Sequence, residues 1–168
     1  MAHSGLKSEI KILQSNKFIR YNYGDEKTIA NKSQLMGDIH LRVNTKNALE
    51  IGKRYLKNLQ KKWSNTPIYC PALDNKQVII NQQSIDHLIY SSQGKRWGAD
   101  IKNRVKLLPY IDDIINKGIL YEITEQKKGQ LFDYGLVCRA MVNRKEQIIK
   151  IVLAEIKKGT ILLYLSIL

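Results

Sequence analysis

Cysteine is scarce in this chain, and its two cysteines stand far apart. Cys70 and Cys138 form no C-x-x-C pair, so metal binding by cysteine is not predicted, and a single disulfide is permitted but not required. The chain also lacks an apolar run as long as a membrane-spanning helix, and its N-terminus carries no hydrophobic signal region. These absences predict a soluble protein.

Several catalytic signatures are missing as well. The sequence has no P-loop glycine pattern, no G-x-S-x-G, no H-E-x-x-H and no cluster of His and Cys at zinc spacing. The paired carboxylates Asp112 and Asp113 fall on a predicted short helix, where adjacent side chains diverge, so a solvated pair is expected. Neither a metal nor another cofactor is predicted.

Acidic residues are also in short supply. The chain has 28 Lys and Arg against 15 Asp and Glu, which gives a formal net charge of +13. A surplus of this size favours a polyanionic partner: RNA, DNA, an anionic membrane or an acidic protein inhibitor. The chain is also rich in Asn and Ile, so coding bias accounts for part of the lysine surplus and weakens the charge signal.

The composition otherwise indicates a folded protein. The 168 residues, 43% of them apolar, are enough for one ordinary domain with a core and an appended segment. We predict an N-terminal basic helical segment over residues 1–65 and an α+β domain over residues 66–168. Ser64 to Pro67 marks the boundary, because this stretch breaks a helix.

The N-terminal segment is predicted to be mainly helix and loop. A short helix opens at Ser8, a polar loop covers Tyr21–Gly37, and Asp38–Val43 alternates like a half-buried strand with His40 on its solvated face. Thr45–Trp63 has apolar residues at spacings of three and four, which is the clearest helical pattern in the chain. Its lysines suit a phosphate backbone or an anionic membrane, and the more common alternative is a docked helix with solvated lysines.

The C-terminal domain is predicted to place helices before a sheet. After two short strands, Ser84 caps a helix that Gln93 and Gly94 interrupt, a second helix covers Ala99–Leu108, and a third begins at Pro109. Four strands with tight connections follow, which makes the sheet antiparallel. They cover Ile119–Thr124, Tyr134–Val142, Glu146–Ile156 and Thr160–Ile167. Helices packed on a four-stranded antiparallel sheet define an α+β fold.

Residue types that suit cleavage of RNA without a metal are concentrated between Ser84 and Pro109. Such a reaction needs a base, an acid and a cation that stabilises the phosphorane. His87 can supply the base or the acid, and Arg104 can supply the cation. Surface or structural roles are the plain alternatives for both.

Further residues are candidates for substrate contact. In the last strand the side chains at even positions carry hydroxyls and are predicted to face outward, so Tyr164 and Ser166 are catalytic candidates beside His87 and Arg104. The predicted substrate-binding residues share a charge, a hydroxyl or an aromatic ring, and they are Lys95, Arg96, Trp97, Arg139 and Thr160. Tyr90 offers another ring for stacking. The alternative for Gly94–Trp97 is a basic loop that sends its tryptophan into the core.

The order of these parts resembles the barnase/EndoU/colicin/RelE-like nuclease superfamily, and within it the small domains of phage proteins, polymorphic toxins and large polyvalent proteins. A short strand leads into SIDHLI, a basic helix NRVKLLPYIDDII follows, and the sheet ends in GTILLYLSI. The resemblance covers about 100 residues and implies helices on a four-stranded antiparallel sheet, metal-free RNA cleavage, and an active site with His87, Arg104, Tyr164 and Ser166. No second histidine of the EndoU kind has a counterpart.

The leading hypothesis is a metal-independent endoribonuclease, the toxic domain of a bacterial or phage conflict system. Its partners would be RNA, tRNA among the candidates, and an acidic immunity protein or antitoxin drawn by opposite charge. Its site of action would be the cytoplasm, with delivery from another cell as one route. The alternative is a non-catalytic nucleic-acid-binding or interaction module.

Overall fold

The computed structural model describes residues 11–14, 18–22, 24–33, 35–36, 43–91, 94–126, 131–157 and 161–167. Its helices are α1 (Glu26–Ala30), α2 (Ala48–Asn65), α3 (Gln82–Ile89), α4 (Gly98–Leu107) and α5 (Ile111–Lys117). Short 3-10 helices lie at Pro71–Leu73 and Leu108–Tyr110. The strands are β1 (Lys11–Gln14), β2 (Phe18–Asn22), β3 (Leu35–Met36), β4 (Ile68–Cys70), β5 (Lys76–Ile79), β6 (Tyr90–Ser91), β7 (Gly94–Lys95), β8 (Ile119–Gln126), β9 (Phe132–Val142), β10 (Lys145–Lys157) and β11 (Ile161–Ile167).

Nine of these strands form one mixed sheet. Its order is β1-β2-β8-β9-β10-β11-β5-β4, and β3 pairs with β9 beyond the end of β8. The predicted four-strand antiparallel meander is present as β8 to β11, and its β9–β10 turn places Asn143 and Arg144 at positive φ, as a tight hairpin requires. The sheet as a whole is not antiparallel, because β5 runs parallel to β11 and β3 runs parallel to β9. Mixed α and β structure is therefore confirmed, and the purely antiparallel sheet is corrected.

The N-terminal segment contributes strands where helix and loop were predicted. β1 and β2 form a hairpin, and β2 pairs with β8 from Phe18↔Gln126 to Asn22↔Glu122. Pairing with β8 explains the difference, because a short isolated helix is marginal in water while a hairpin satisfies the open edge of β8. The predicted strand Asp38–Val43 and helix start at Ser8 fall outside the described residues, apart from Val43. The predicted helix Thr45–Trp63 is confirmed as α2.

The stretches on either side of the predicted boundary share one hydrophobic core. Ile29, Met36 and Leu56 from the first stretch belong to the same buried cluster as Val105 and Leu136 from the second. Asn65 is the last residue of α2, so the boundary coincides with a helix end. At this position the core continues from one stretch of sequence into the other.

Helix α5 lies within the hydrophobic core. Ile111, Ile114 and Ile115 of α5 are fully buried, and this helix contacts β4, β9 and β10. Cys70 and Cys138 are free and buried, and burial raises the pKa of the Cys70 thiol to about 11 and that of Cys138 to about 12. Both thiols are therefore protonated at neutral pH and belong to the core. No helix among the described residues is long and apolar enough to cross a membrane.

Close packing of α2 against α3 and α4 depends on a glycine. A Cβ atom at Gly52 would lie 2.5 Å from Leu88 Cδ2 on α3 and 2.7 Å from Val105 Cγ2 on α4. Both neighbours are buried, so neither can move aside freely. Gly52 thus sets the distance between α2 and the helix that carries His87.

Substitution Gly52→Ala is expected to destabilise the protein. Overpacking costs roughly 1–3 kcal/mol, whereas the helix-propensity gain of alanine is at most about 1 kcal/mol. Urea unfolding would measure the net loss, with Asn58→Ala on the exposed face of α2 as the control that reports propensity alone. A Gly52→Ala protein as stable as the parent would contradict the close approach of the three helices.

Candidate functional site

Helix α3 carries the histidine of the candidate site. Asn81 is its N-cap, and the Asn81 side chain accepts hydrogen bonds from the backbone N–H of Gln83 at 2.8 Å and of Ser84 at 3.3 Å. The Ser84 hydroxyl accepts one from the Asn81 N–H at 3.2 Å, which completes a capping box. The prediction that Ser84 is the cap is therefore wrong by three positions. Ile85 and Leu88 face the core, which leaves His87 half-buried between the core and the surface.

The surroundings of His87 favour its neutral form. Burial lowers the pKa of the imidazole, and the positive charges of Arg96 and Arg104 lower it further, against a smaller opposing effect of Asp86. A histidine with a lowered pKa is unprotonated at neutral pH and can accept a proton. This is the protonation state that a general base needs.

The two arginines near His87 are held by one carboxylate. Arg96 donates from Nε to the His87 carbonyl at 3.0 Å and from a guanidinium nitrogen to Asp100 at 3.3 Å. Arg104 donates from Nε to the other Asp100 oxygen at 3.1 Å. A terminal guanidinium nitrogen of Arg104 donates to the Ile167 carbonyl of β11, also at 3.1 Å. Arg104 is buried, so its predicted role as an exposed phosphate ligand is not supported by its contacts, and its charge acts on His87 from within the fold.

The predicted hydroxyl surface of the last strand is corrected. Leu162 and Tyr164 are buried, and a register shift between Val152 and Leu153 on β10 changes which side chains of β11 face inward. Tyr164 lies with His87 and Arg104 around a small cavity of about 10 Å³, room for about one water molecule. Burial raises the pKa of the Tyr164 hydroxyl far above its usual value. Thr160 and the side chain of Ser166 lie outside the described part of the chain.

A larger cleft opens on the other side of His87. It has a volume of about 390 Å³ and lies where β9 begins and β10 ends, beside α3. Its lining combines a histidine, two carboxylates, an amide and apolar side chains, and consists of Gln83, His87, Leu131, Asp133, Ala154, Glu155 and Ile156. A volume of this order is typical of ligand sites.

The two carboxylates of the cleft come from paired strands. Asp133 on β9 lies opposite Ala154 on β10, and Glu155 is the next residue. Glu155 is buried and accepts a hydrogen bond from the backbone N–H of Phe132 at 3.2 Å, which fixes its carboxylate. Burial raises the pKa of Asp133, so its proton is retained to a higher pH than is usual for an aspartate.

Neither Asp133 nor Glu155 was predicted as a site residue. The available signal was the presence of acids inside strands, where Asp and Glu are depleted, and Glu155 interrupts the apolar run IVLAEI. Their approach to His87 depends on the pairing of β9 with β10, which local periodicity does not specify.

Some of the predicted substrate-binding residues are exposed to solvent, and others form hydrogen bonds within the protein. Lys95 and Trp97 are exposed at the β6–β7 hairpin and the start of α4, and Trp97 retains 86% of its accessible surface, so the alternative of a core tryptophan is wrong. Tyr90, paired with Lys95 across the hairpin, is 53% exposed. Arg139, in contrast, donates to the Ser33 carbonyl at 2.7 Å and to Glu146 at 3.3 Å, and neither partner lines the cleft.

Comparisons with known proteins assign the chain to no family. No family model, no curated protein and no solved structure matches the chain. Within the described ranges, no group of three or more His, Cys, Asp and Glu side chains is arranged to hold a metal ion. The resemblance to the nuclease superfamily therefore stays a prediction.

Substitution Asp133→Asn is expected to stabilise the protein at neutral pH. The folded state raises the pKa of this carboxyl above 3.8, so its contribution to stability is present at low pH and is lost as pH rises through the unfolded and then the folded pKa. The melting temperature of the variant should exceed that of the parent at pH 7, and the difference should disappear below pH 3.8.

Asp74→Asn is the matched control, since it removes the same charge from an exposed turn and should leave the melting temperature nearly unchanged. A lower melting temperature for Asp133→Asn at pH 7 would mean that the ionised carboxylate makes a stabilising contact. It would contradict the conclusion that burial makes the ionised form unfavourable.

Proposed function

We propose that this protein is a metal-independent endoribonuclease whose acid and base line the cleft beside His87. The observation that carries the proposal is the placement of a histidine with a lowered pKa in one cleft with a carboxyl whose pKa is raised, that of Asp133. Opposite shifts of this kind bring the base form of one group and the acid form of the other into the same pH range.

The proposed reaction needs no group beyond these and the RNA itself. His87 takes the proton of a 2′-hydroxyl, whose oxygen attacks the adjacent phosphorus. The bond from phosphorus to the 5′-oxygen breaks, a 2′,3′-cyclic phosphate forms, and Asp133 gives its proton to the departing oxygen. Glu155, held by the Phe132 N–H, acts as a positioning residue in the wall of the cleft.

Cationic support for the phosphate comes from the field of the two arginines. Arg96 and Arg104 lie near enough to His87 to lower its pKa, and the same field favours a phosphate anion at the mouth of the cleft. The net charge of +13 brings RNA toward the molecule from a distance. An acidic immunity protein or antitoxin, drawn by the same charge, and a cytoplasmic site of action are parts of this proposal.

The test is cleavage of total RNA in excess EDTA. We expect cleavage to persist, and to fall by about 10²–10⁴-fold in His87→Ala, which is the usual worth of a general base. Circular dichroism would establish that the variant is folded. Loss of cleavage on chelation, or full activity of His87→Ala, would contradict the proposed site.

The pH profile separates the two roles. The base must be neutral, so the acidic limb should lie below the usual histidine pKa of 6.5, and the acid must be protonated, so the alkaline limb should reflect Asp133. Maximum cleavage is therefore expected at weakly acidic pH, and Asp133→Asn should abolish the alkaline limb. An alkaline limb that survives in Asp133→Asn would assign the acid to another group.

A second function, nucleic-acid binding without cleavage, is favoured by the exposed tryptophan. Trp97 at 86% exposure and Tyr90 at 53% present rings beside Lys95, an arrangement suited to stacking of unpaired bases. Salt-sensitive RNA binding that Trp97→Ala weakens, with no cleavage at any pH, would support this function over the first.

A further inference from the structure

Helix α2 carries a row of positively charged residues on its solvent-facing side. From Lys53 to Asn65 the helix has five basic residues and no acid. Lys53, Lys57 and Lys61 follow at intervals of four, so they lie on one face, each about 6 Å along the axis from the next. The one acid of α2, Glu50, lies in its first turn.

These charges are not neutralised within the described part of the chain. There, none of the three lysines forms an ion pair, whereas Lys62 on the neighbouring face pairs with Asp112 at 3.2 Å. Like charges four residues apart weaken a helix. A polyanion laid along the row would remove this repulsion and release its own counterions.

A cavity of about 310 Å³ lies at the C-terminal end of the row. It is lined by Gln60, Trp63, Ser64, Gln77, Ile79 and Ile80. Gln60 lies three residues after Lys57 and Ser64 three residues after Lys61, so α2 presents the cavity and the cations on adjoining positions. The cavity lining contains no charged side chain.

The chemistry of this cavity suits a planar, neutral, hydrogen-bonding ring. The amides of Gln60 and Gln77 each offer a donor and an acceptor, as the edge of a nucleobase requires. The indole N–H of Trp63 is already donated to Asp112 at 3.2 Å, which fixes the ring in the cavity lining together with the two isoleucines. Its volume is near the lower end of ligand sites, roughly 300 Å³.

We propose that this face of α2 binds single-stranded RNA, with Lys57 and Lys61 on successive phosphates and one unpaired base in the Gln60–Gln77 cavity. A duplex does not fit, because its base edges are paired and cannot enter a cavity. The site lies on other residues than the cleft at His87. It rests on the proposed function only for the choice of RNA as the polyanion, and binding here does not require cleavage there.

The test uses the full chain with His87→Ala, so that cleavage does not consume the probe, and measures anisotropy of a labelled 12-nucleotide single strand over a range of salt. Adding Lys57→Glu and Lys61→Glu should weaken binding at least tenfold and reduce the salt slope by about 1.4, the value for two lost contacts on a single strand. The control carries Lys32→Glu and Lys117→Glu, which change the net charge equally at exposed positions outside α2. Equal losses in both pairs would overturn the site.

The base cavity has its own readout. A nucleoside monophosphate should compete with the labelled strand while ribose 5-phosphate does not, and Gln77→Met should abolish that competition with the salt slope unchanged. Inorganic polyphosphate that binds as tightly as RNA would overturn the base cavity. If vesicles with anionic lipid bind α2 with the same dependence on the lysines and RNA does not bind, the ligand of this face is a membrane and the proposal of RNA is wrong. If RNA binds as proposed but the parent protein does not cleave it, the inference stands and the proposed ribonuclease fails.

Discussion

The carboxylate of Asp100 holds the candidate site together. Two guanidinium groups, those of Arg96 and Arg104, share its oxygens, and both arginines are largely buried. A buried cation without a partner would cost several kcal/mol, so the three charges must be kept as a set. Through Arg96 the set fixes the hairpin to the end of α3, and through Arg104 it fixes α4 to the last strand at Ile167.

This arrangement divides the chemistry between the helices and the sheet. The arginines that the sequence suggested as phosphate ligands are used for structure, and their remaining influence is a positive field that adds to the effect of burial in lowering the pKa of His87. The carboxylates that would complete the proposed acid/base site come from β9 and β10 instead, as Asp133 and Glu155. Helix α3 therefore supplies the histidine, and the meander supplies the carboxylates.

Periodicity predicted the parts of the fold in which local pattern and burial agree. The apolar spacing of α2 and the alternation of β8 to β11 were sufficient to predict these elements, because each packs against the hydrophobic core with one face or along its whole length. The strands β1 and β2 were missed because their stability comes from pairing with β8, a contact more than 90 residues away in the sequence. The direction of Tyr164 was missed because one of the two register shifts between β10 and β11 reverses the alternation, and nothing in the sequence of β11 marks it.

The candidate site was predicted in part for the same reason. His87 was found because a histidine on a short helix is visible in the sequence, whereas the role of Arg104 depends on a carbonyl 63 residues later. Trp97, which immediately precedes α4, was more exposed than a tryptophan usually is. Such placements are set by tertiary contacts, so residue type alone gave candidates without their surroundings.

Net charge and local charge act at different distances in this molecule. At physiological salt a surface charge is screened beyond about 8 Å, so the lysines of α2 act mainly on a polyanion that lies along them. The cleft itself favours neutral groups, because burial lowers the pKa of His87 and raises that of Asp133. A phosphate entering the cleft would meet an aspartate that keeps its proton to a higher pH than usual and a histidine that loses its proton at a lower pH than usual. In the function proposed here, surface cations would therefore bring the polyanion to the protein, and desolvation within the cleft would set the protonation states that the reaction needs.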